Sequence, residues 1–114
     1  MNRIPIDEVK GNFDDVLLLV SNGKQRMVIT EGDEAKAALI PLEDLALLEN
    51  LDGDANIEKE TVPRAEVHAH LSEDLDQVAS REERIVVRDG KKDIAALVPE
   101  RDLATLEGLD SRLD

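Results

Sequence analysis

The sequence predicts an α+β protein: two tandem β-α-β-β-α modules forming an intramolecular pseudo-dimer with an antiparallel sheet and packed helices. Three observations predict it. Residues 4–52 align with residues 62–110 at a constant shift of 58 without a gap, and more than a third of the aligned positions are identical. Within each copy, an apolar stripe of helical period is followed by a hairpin signature and then a proline-initiated second helix. Finally, a unit of about fifty residues buries too little surface to be comfortably stable alone. Two copies are therefore expected to share a core around a pseudo-twofold axis, as a C₂ dimer does, with the partner covalently attached.

Each copy opens on a short extended piece ending at proline, Arg3–Pro5 and Thr61–Pro63. Val9, Phe13, Val16, Leu17 and Val20 then fall on one stripe of a 3.6-residue period, matched by Val67, Leu71, Leu75 and Val78. Asp7 is placed to cap the first helix, whereas Ala65 at the equivalent position has no side chain to do so. Asn22-Gly23 reads as a helix stop and Ser80-Arg81 as a weaker one. Arg26–Thr30 and Lys36–Ile40 flank a turn containing Gly32; Arg84–Arg88 and Asp93–Val98 flank one containing Gly90. Pro41 and Pro99 end the strands and start the last helices, with Leu42, Leu45 and Leu48 in one and Leu103 and Leu106 in the other. The module boundaries follow: residues 1–52, a polar linker at 53–60, and residues 61–114.

Composition narrows the function classes. Hydrophobic content is 41%, but Phe13 is the only aromatic residue, so the core must be aliphatic. No run approaches the roughly 18 apolar residues of a membrane span, and the N-terminus has no signal-peptide core, which reads as a cytoplasmic protein without membrane partners. The absence of cysteine excludes disulfides, thiolate catalysis and Cys-ligated zinc. No nucleophile–base pair or phosphate-binding glycine loop is present, so neither an enzyme nor a cofactor is expected. Fourteen Lys and Arg face 27 Asp and Glu, a net charge of −13 that opposes phosphate binding. A salt-rich cytoplasm would also produce such acidity.

These residues resemble a known family. Ile4–Val20, with Glu8-Val9-Lys10-Gly11-Asn12-Phe13, the hairpin Met27–Gly32, and Ala37–Leu45 are each similar to segments of the Phd/YefM antitoxins of type II toxin–antitoxin systems. In the second copy, Ile85–Gly90 and Ala96–Pro99 look equally similar. The resemblance covers nearly all of both copies. It implies dimerisation through this module, operator binding near the start of the first helix, and neutralisation of a toxin by a C-terminal extension. Carried over by position, the family's helix-one arginine falls on Lys10 and His68, and its asparagine on Asn12 and His70. Lysine lacks the planar fork of arginine, and histidine is mostly neutral near pH 7. Asp7, Asp14, Asp15 and Glu73 surround these positions, and only Ser111–Asp114 remain after Asp110, the end of the aligned region, which reads as too few residues to wrap a toxin.

Two readings stand side by side for the remaining candidates. Arg3, Lys10 and Arg64 form either a basic cluster across the pseudo-twofold or a solvated surface. Leu18 and Leu19, replaced by Asp76 and Gln77 in the second copy, either complete the core or offer an interface to another chain, including further homo-oligomerisation. Arg88, Lys91 and Lys92 read most simply as edge protection. Glu66, His68 and His70 lie on one helix, but His68 is two residues from either neighbour and points elsewhere, so no metal site is expected. The leading expectation is an antitoxin-like protein with operator DNA and a cognate toxin as partners. The alternative is a protein-interaction module that kept the fold and lost both activities.

Overall fold

In chain order the described residues, 2–53 and 57–113 of a computed structural model, form twelve elements. They are β1 (Asn2–Pro5), α1 (Ile6–Gly11), α2 (Phe13–Ser21), β2 (Met27–Glu31), β3 (Glu34–Ile40) and α3 (Leu42–Asp52), then β4 (Lys59–Pro63), α4 (Arg64–Ala69), α5 (Leu71–Arg81), β5 (Arg84–Asp89), β6 (Lys92–Pro99) and α6 (Glu100–Leu113). The chain is thus mixed α+β, with one six-stranded sheet in the order β1-β2-β3-β6-β5-β4. The centre of the expected linker, residues 54–56, lies outside the described residues. Its end does not: β4 starts at Lys59, two residues before the extended piece expected at Thr61.

The expectation of an antiparallel sheet needs correction. β1 pairs with β2 in parallel, as β4 does with β5, while the four inner strands pair antiparallel. The reason lies in the connection. A helical segment joins β1 to β2, and a helix between neighbouring strands returns the chain to the same end of the sheet, which makes the pair parallel. The tight turns at Gly32 and Gly90, both at positive φ (63° and 64°), instead reverse the chain. In both hairpins the register shifts at the same place, between Ile29 and Thr30 and between Val87 and Arg88.

At the centre, β3 pairs with β6 through Ala37↔Pro99, Ala38↔Val98, Leu39↔Leu97 and Ile40↔Ala96. Leu39 and Leu97 are the same position of the two copies, so this ladder is centred on a self-equivalent pair. The alanines beside them are fully buried and lie on alternate faces of the sheet. Small side chains here leave room for helices from both copies to pack over the junction.

Helices cover both faces. On one, Ile6, Val9, Phe13, Val16, Leu17 and Val20 of the first copy join Val67, Leu71, Leu75 and Val78 of the second over Met27, Ile29, Leu39, Ile85, Val87 and Leu97. On the other, Leu45 and Leu48 of α3 and Leu103 and Leu106 of α6 pack on Val28, Ile40, Val86 and Val98. Each cluster draws on both copies. Strands covered on both faces become continuously apolar, as Met27-Val28-Ile29 and Ile85-Val86-Val87 are. Leu18 and Leu19 belong to neither cluster and are 55% and 43% exposed, so they do not complete the core.

Two local expectations also change. The single first helix is broken at Asn12 (φ −131°, ψ 35°) and, in the second copy, at His70 (φ −122°, ψ 32°). The apolar stripe runs across the break undisturbed, so periodicity could not reveal it. The break recurs in unrelated residues, which makes it a property of the fold. Asp7 is in the first turn of α1 without capping it; Pro5 holds the cap position. The left-handed residues that follow the first copy's α2 and cap α5 are Lys24 and Glu82, both at φ 56°, rather than a glycine.

Candidate nucleic-acid interface

The ends of α1 and α4 meet. Lys10 and His68, equivalent positions of the two copies, are in direct contact: the His68 Nε2 lies 2.7 Å from the Lys10 carbonyl oxygen, which fits an imidazole N–H donating to it. The His68 ring stacks on Phe13 with centroids 4.8 Å apart and planes 11° from parallel. A shallow depression of about 260 Å³ opens here, lined by Lys10, Gly11, Asn12, Phe13, Asp14, Asp15 and His68. Lys10, Asn12 and His68 are thus brought together.

The other candidates are placed differently. Arg64, at the start of α4, is held by Asp14 of α2 and by Asp89 at the end of β5, the latter through Nη1 at 3.2 Å. The hydrogen bond it donates to Asp14 is the main reason its guanidinium is held above its usual range. Arg3 sits on the other face, beside Val28, Glu100, Leu103 and Glu107, so the three-cation cluster of Arg3, Lys10 and Arg64 does not form. The alternation of β1 explains this: Arg3 pairs with Val28, whose side chain belongs to the core under α3 and α6. Asn12 turns its amide back onto the Glu8 carbonyl at 3.3 Å, and His70 lies 3.9 Å from Glu73. The β5–β6 hairpin is interior to the sheet, which overturns edge protection as the role of Arg88, Lys91 and Lys92; Arg88 instead pairs with Asp93 at 3.1 Å. Among the described residues no group of three or more His, Asp or Glu is arranged to hold a metal ion, and no helix is long and apolar enough to cross a membrane.

A pair of arginine clamps was not singled out from the sequence. Arg26 is clamped by Asp44 of its own copy (2.8 and 3.0 Å) and by Asp110 of the other (2.5 and 3.3 Å). Its counterpart Arg84 is clamped by Asp102 (2.9 and 3.2 Å) and by Asp52 of the other copy (2.5 and 3.4 Å). Each guanidinium therefore ties its own copy to the last turns of the partner copy's helix. Arginine suits the role because its planar fork meets two carboxylates at once. Burial, the largest influence, pulls the Arg84 guanidinium down, but Asp102 and Asp52 together hold it above its usual range. The signal was present, since all six residues are conserved between the copies. What was missing was the distance across the sheet that joins Arg26 to Asp110. A cleft of about 670 Å³ opens beside Arg26 and is bounded by Lys24, Glu43, Asp44 and Asp110. Lys24 pairs there with Glu43, and Arg26 with Asp44 and Asp110, while Glu107 completes the rim.

A second asymmetry concerns Asp74, which stands where the first copy has the buried Val16. One of its carboxylate oxygens is buried without a hydrogen-bond partner. Burial pushes the Asp74 carboxyl above the usual carboxylate range, helped by Glu60, Glu73 and Glu66 and opposed by His70.

No protein-family model, no curated protein and no solved structure matches the chain.

Proposed function

We propose that this chain is an antitoxin-like protein of a toxin–antitoxin system, in which two Phd/YefM-like modules pair within one polypeptide as a pseudo-dimer. The observation that carries the reading is the β3–β6 ladder centred on Leu39↔Leu97, the register a twofold dimer of one module would adopt. The reciprocal Arg26–Asp110 and Arg84–Asp52 clamps follow the same symmetry. The Lys10–His68 contact brings together the two helix ends to which the resemblance assigns operator binding. Lys10 has no carboxylate partner among the described residues, which leaves one cation for a phosphate at this surface.

Fluorescence anisotropy with a duplex from upstream of the protein's own gene tests the regulatory half. Binding should weaken steeply with salt and be lost in Lys10→Ala/His68→Ala. No binding at 20–50 mM salt, about the low end used for such titrations, refutes it. Co-purification with the product of an adjacent gene, expected to be a small nuclease-like or kinase-like toxin, tests the other half.

A second reading is favoured by a specific observation. Leu18 and Leu19 are exposed on α2, while the equivalent α5 positions are Asp76 and Gln77. In that reading the protein is an interaction module that engages one protein partner through α2 and binds no DNA.

A further inference from the structure

We propose that Asp14 and Asp89 act as built-in phosphate substitutes, masking Arg64 and holding down the affinity of this surface for DNA. The inference rests on the DNA-binding reading above and assigns its regulation. Arg64 lies between two charged segments, reached through Asp14 and Asp89. Asp14 shares the depression of Lys10 and His68, and Asp89 leads directly into the Gly90-Lys91-Lys92 turn. Lys91 and Lys92, like Lys10, have no carboxylate partner among the described residues. Arg64 is thus already engaged, as Arg88 is with Asp93, and both Arg64 partners are carboxylates that occupy its fork as phosphate oxygens would.

The other copy indicates that the ion pairs are not needed to close the junction. The positions equivalent to Arg64, Asp14 and Asp89 are Ile6, Ser72 and Glu31. There Ser72 Oγ donates to Glu31 at 3.4 Å and Ile6 is buried in the core; the nearest cation, Lys36, lies 3.9 Å from Glu31 and does not bond Ser72. The Arg64 side chain is 31% exposed and that of Asp14 83%, and exposed pairs of this kind are weak and exchange with solvent ions. A phosphate that brings more negative charge can therefore displace Asp14, but only at a cost in affinity that the carboxylate sets.

The test uses the full chain and copies the protein's own alternative, Asp14→Ser. Asp15→Ser is the control, since it removes the same charge from the same depression without touching Arg64. With the upstream duplex, Asp14→Ser should bind about five- to tenfold more tightly at low salt. Its plot of log affinity against log salt should steepen by up to about one, the contribution of one added phosphate contact. Adding Arg64→Ala should cancel the gain. An equal gain in Asp15→Ser, or no gain in Asp14→Ser while Lys10→Ala still weakens binding, overturns the masking. If no form binds DNA, the regulatory reading fails, and masking is judged from the Arg64 Nε–Hε NMR signal in a pyrophosphate titration. A response in Asp14→Ser but not in the unmodified protein supports it; the same response in both, or in neither, overturns it.

Discussion

Arg84→Met should destabilise this protein far more than Arg26→Met, although the two arginines occupy equivalent positions and make equivalent bonds. The difference is burial. The Arg84 side chain is 3% exposed and its partners Asp102 and Asp52 are 10% and 18% exposed. For Arg26 the values are 20%, with Asp44 at 12% and Asp110 at 55%. The chain preceding β4 lies beside Arg84, whose backbone N–H donates to the Glu58 carbonyl at 3.0 Å. Removing Arg84 leaves two carboxylates in a poorly hydrated site, a loss of about 3–5 kcal/mol. At Arg26 water reaches the vacated site, and about 1–2 kcal/mol is expected. For a chain of this length 1 kcal/mol corresponds to roughly 4 °C in Tm. Thermal denaturation should thus give drops of about 12–20 °C for Arg84→Met and about 4–8 °C for Arg26→Met. Arg84→Met/Asp52→Leu/Asp102→Leu should recover much of the loss, since it removes the stranded charges as well. Equal drops for the two single variants would refute the argument from burial, and a triple variant worse than Arg84→Met would refute the argument from unpaired carboxylates.

Three further outcomes follow from the geometry. Asp74→Val, which installs the first copy's residue, should stabilise the fold by about 1 kcal/mol at neutral pH by removing an unpaired buried oxygen. Because the folded-state value of Asp74 is raised, the unmodified protein is free of this penalty below the ordinary carboxylate range and acquires it as pH rises through the folded value, so denaturant midpoints of the two proteins should converge on acidification. Leu18→Asp/Leu19→Gln should change stability by less than about 0.5 kcal/mol, because both side chains are exposed, while abolishing any partner binding through α2; a large loss of Tm would place them in the core after all. Glu82→Gly should stabilise by about 0.5–1 kcal/mol, since its left-handed backbone (φ 56°) suits glycine better, and unchanged or lower stability by urea titration would contradict that.

Much of the fold was legible because it is written in periodicity and punctuation. The stripe from Val9 to Val20, the turns at Gly32 and Gly90, and the helix starts after Pro41 and Pro99 all lie where local patterns put them. The duplication itself is a statement about sequence alone. Of the candidate site, a cluster of Arg3, Lys10 and Arg64 was the expectation that symmetry suggested, and the structure instead sets Lys10 against His68 and Arg3 on the other face. That separation depends on which face of β1 turns outward, and a four-residue strand with one half-buried residue carries too little alternation to tell.

The sequence by itself determined that one pattern is written twice, the order of strands, turns and helices in each copy apart from the break in its first helix, and that the core is almost wholly aliphatic. Only the tertiary structure decided how they meet: at Leu39 and Leu97, through an alanine-rich junction, with reciprocal arginine clamps and parallel outer strands. Local patterns report what a residue does within one turn or one strand, where its neighbours are neighbours in the chain. The Arg26–Asp110 clamp and the Arg64–Asp14 pair join residues 84 and 50 positions apart, so which charges cancel and which remain free emerges only when the sheet brings the two copies together.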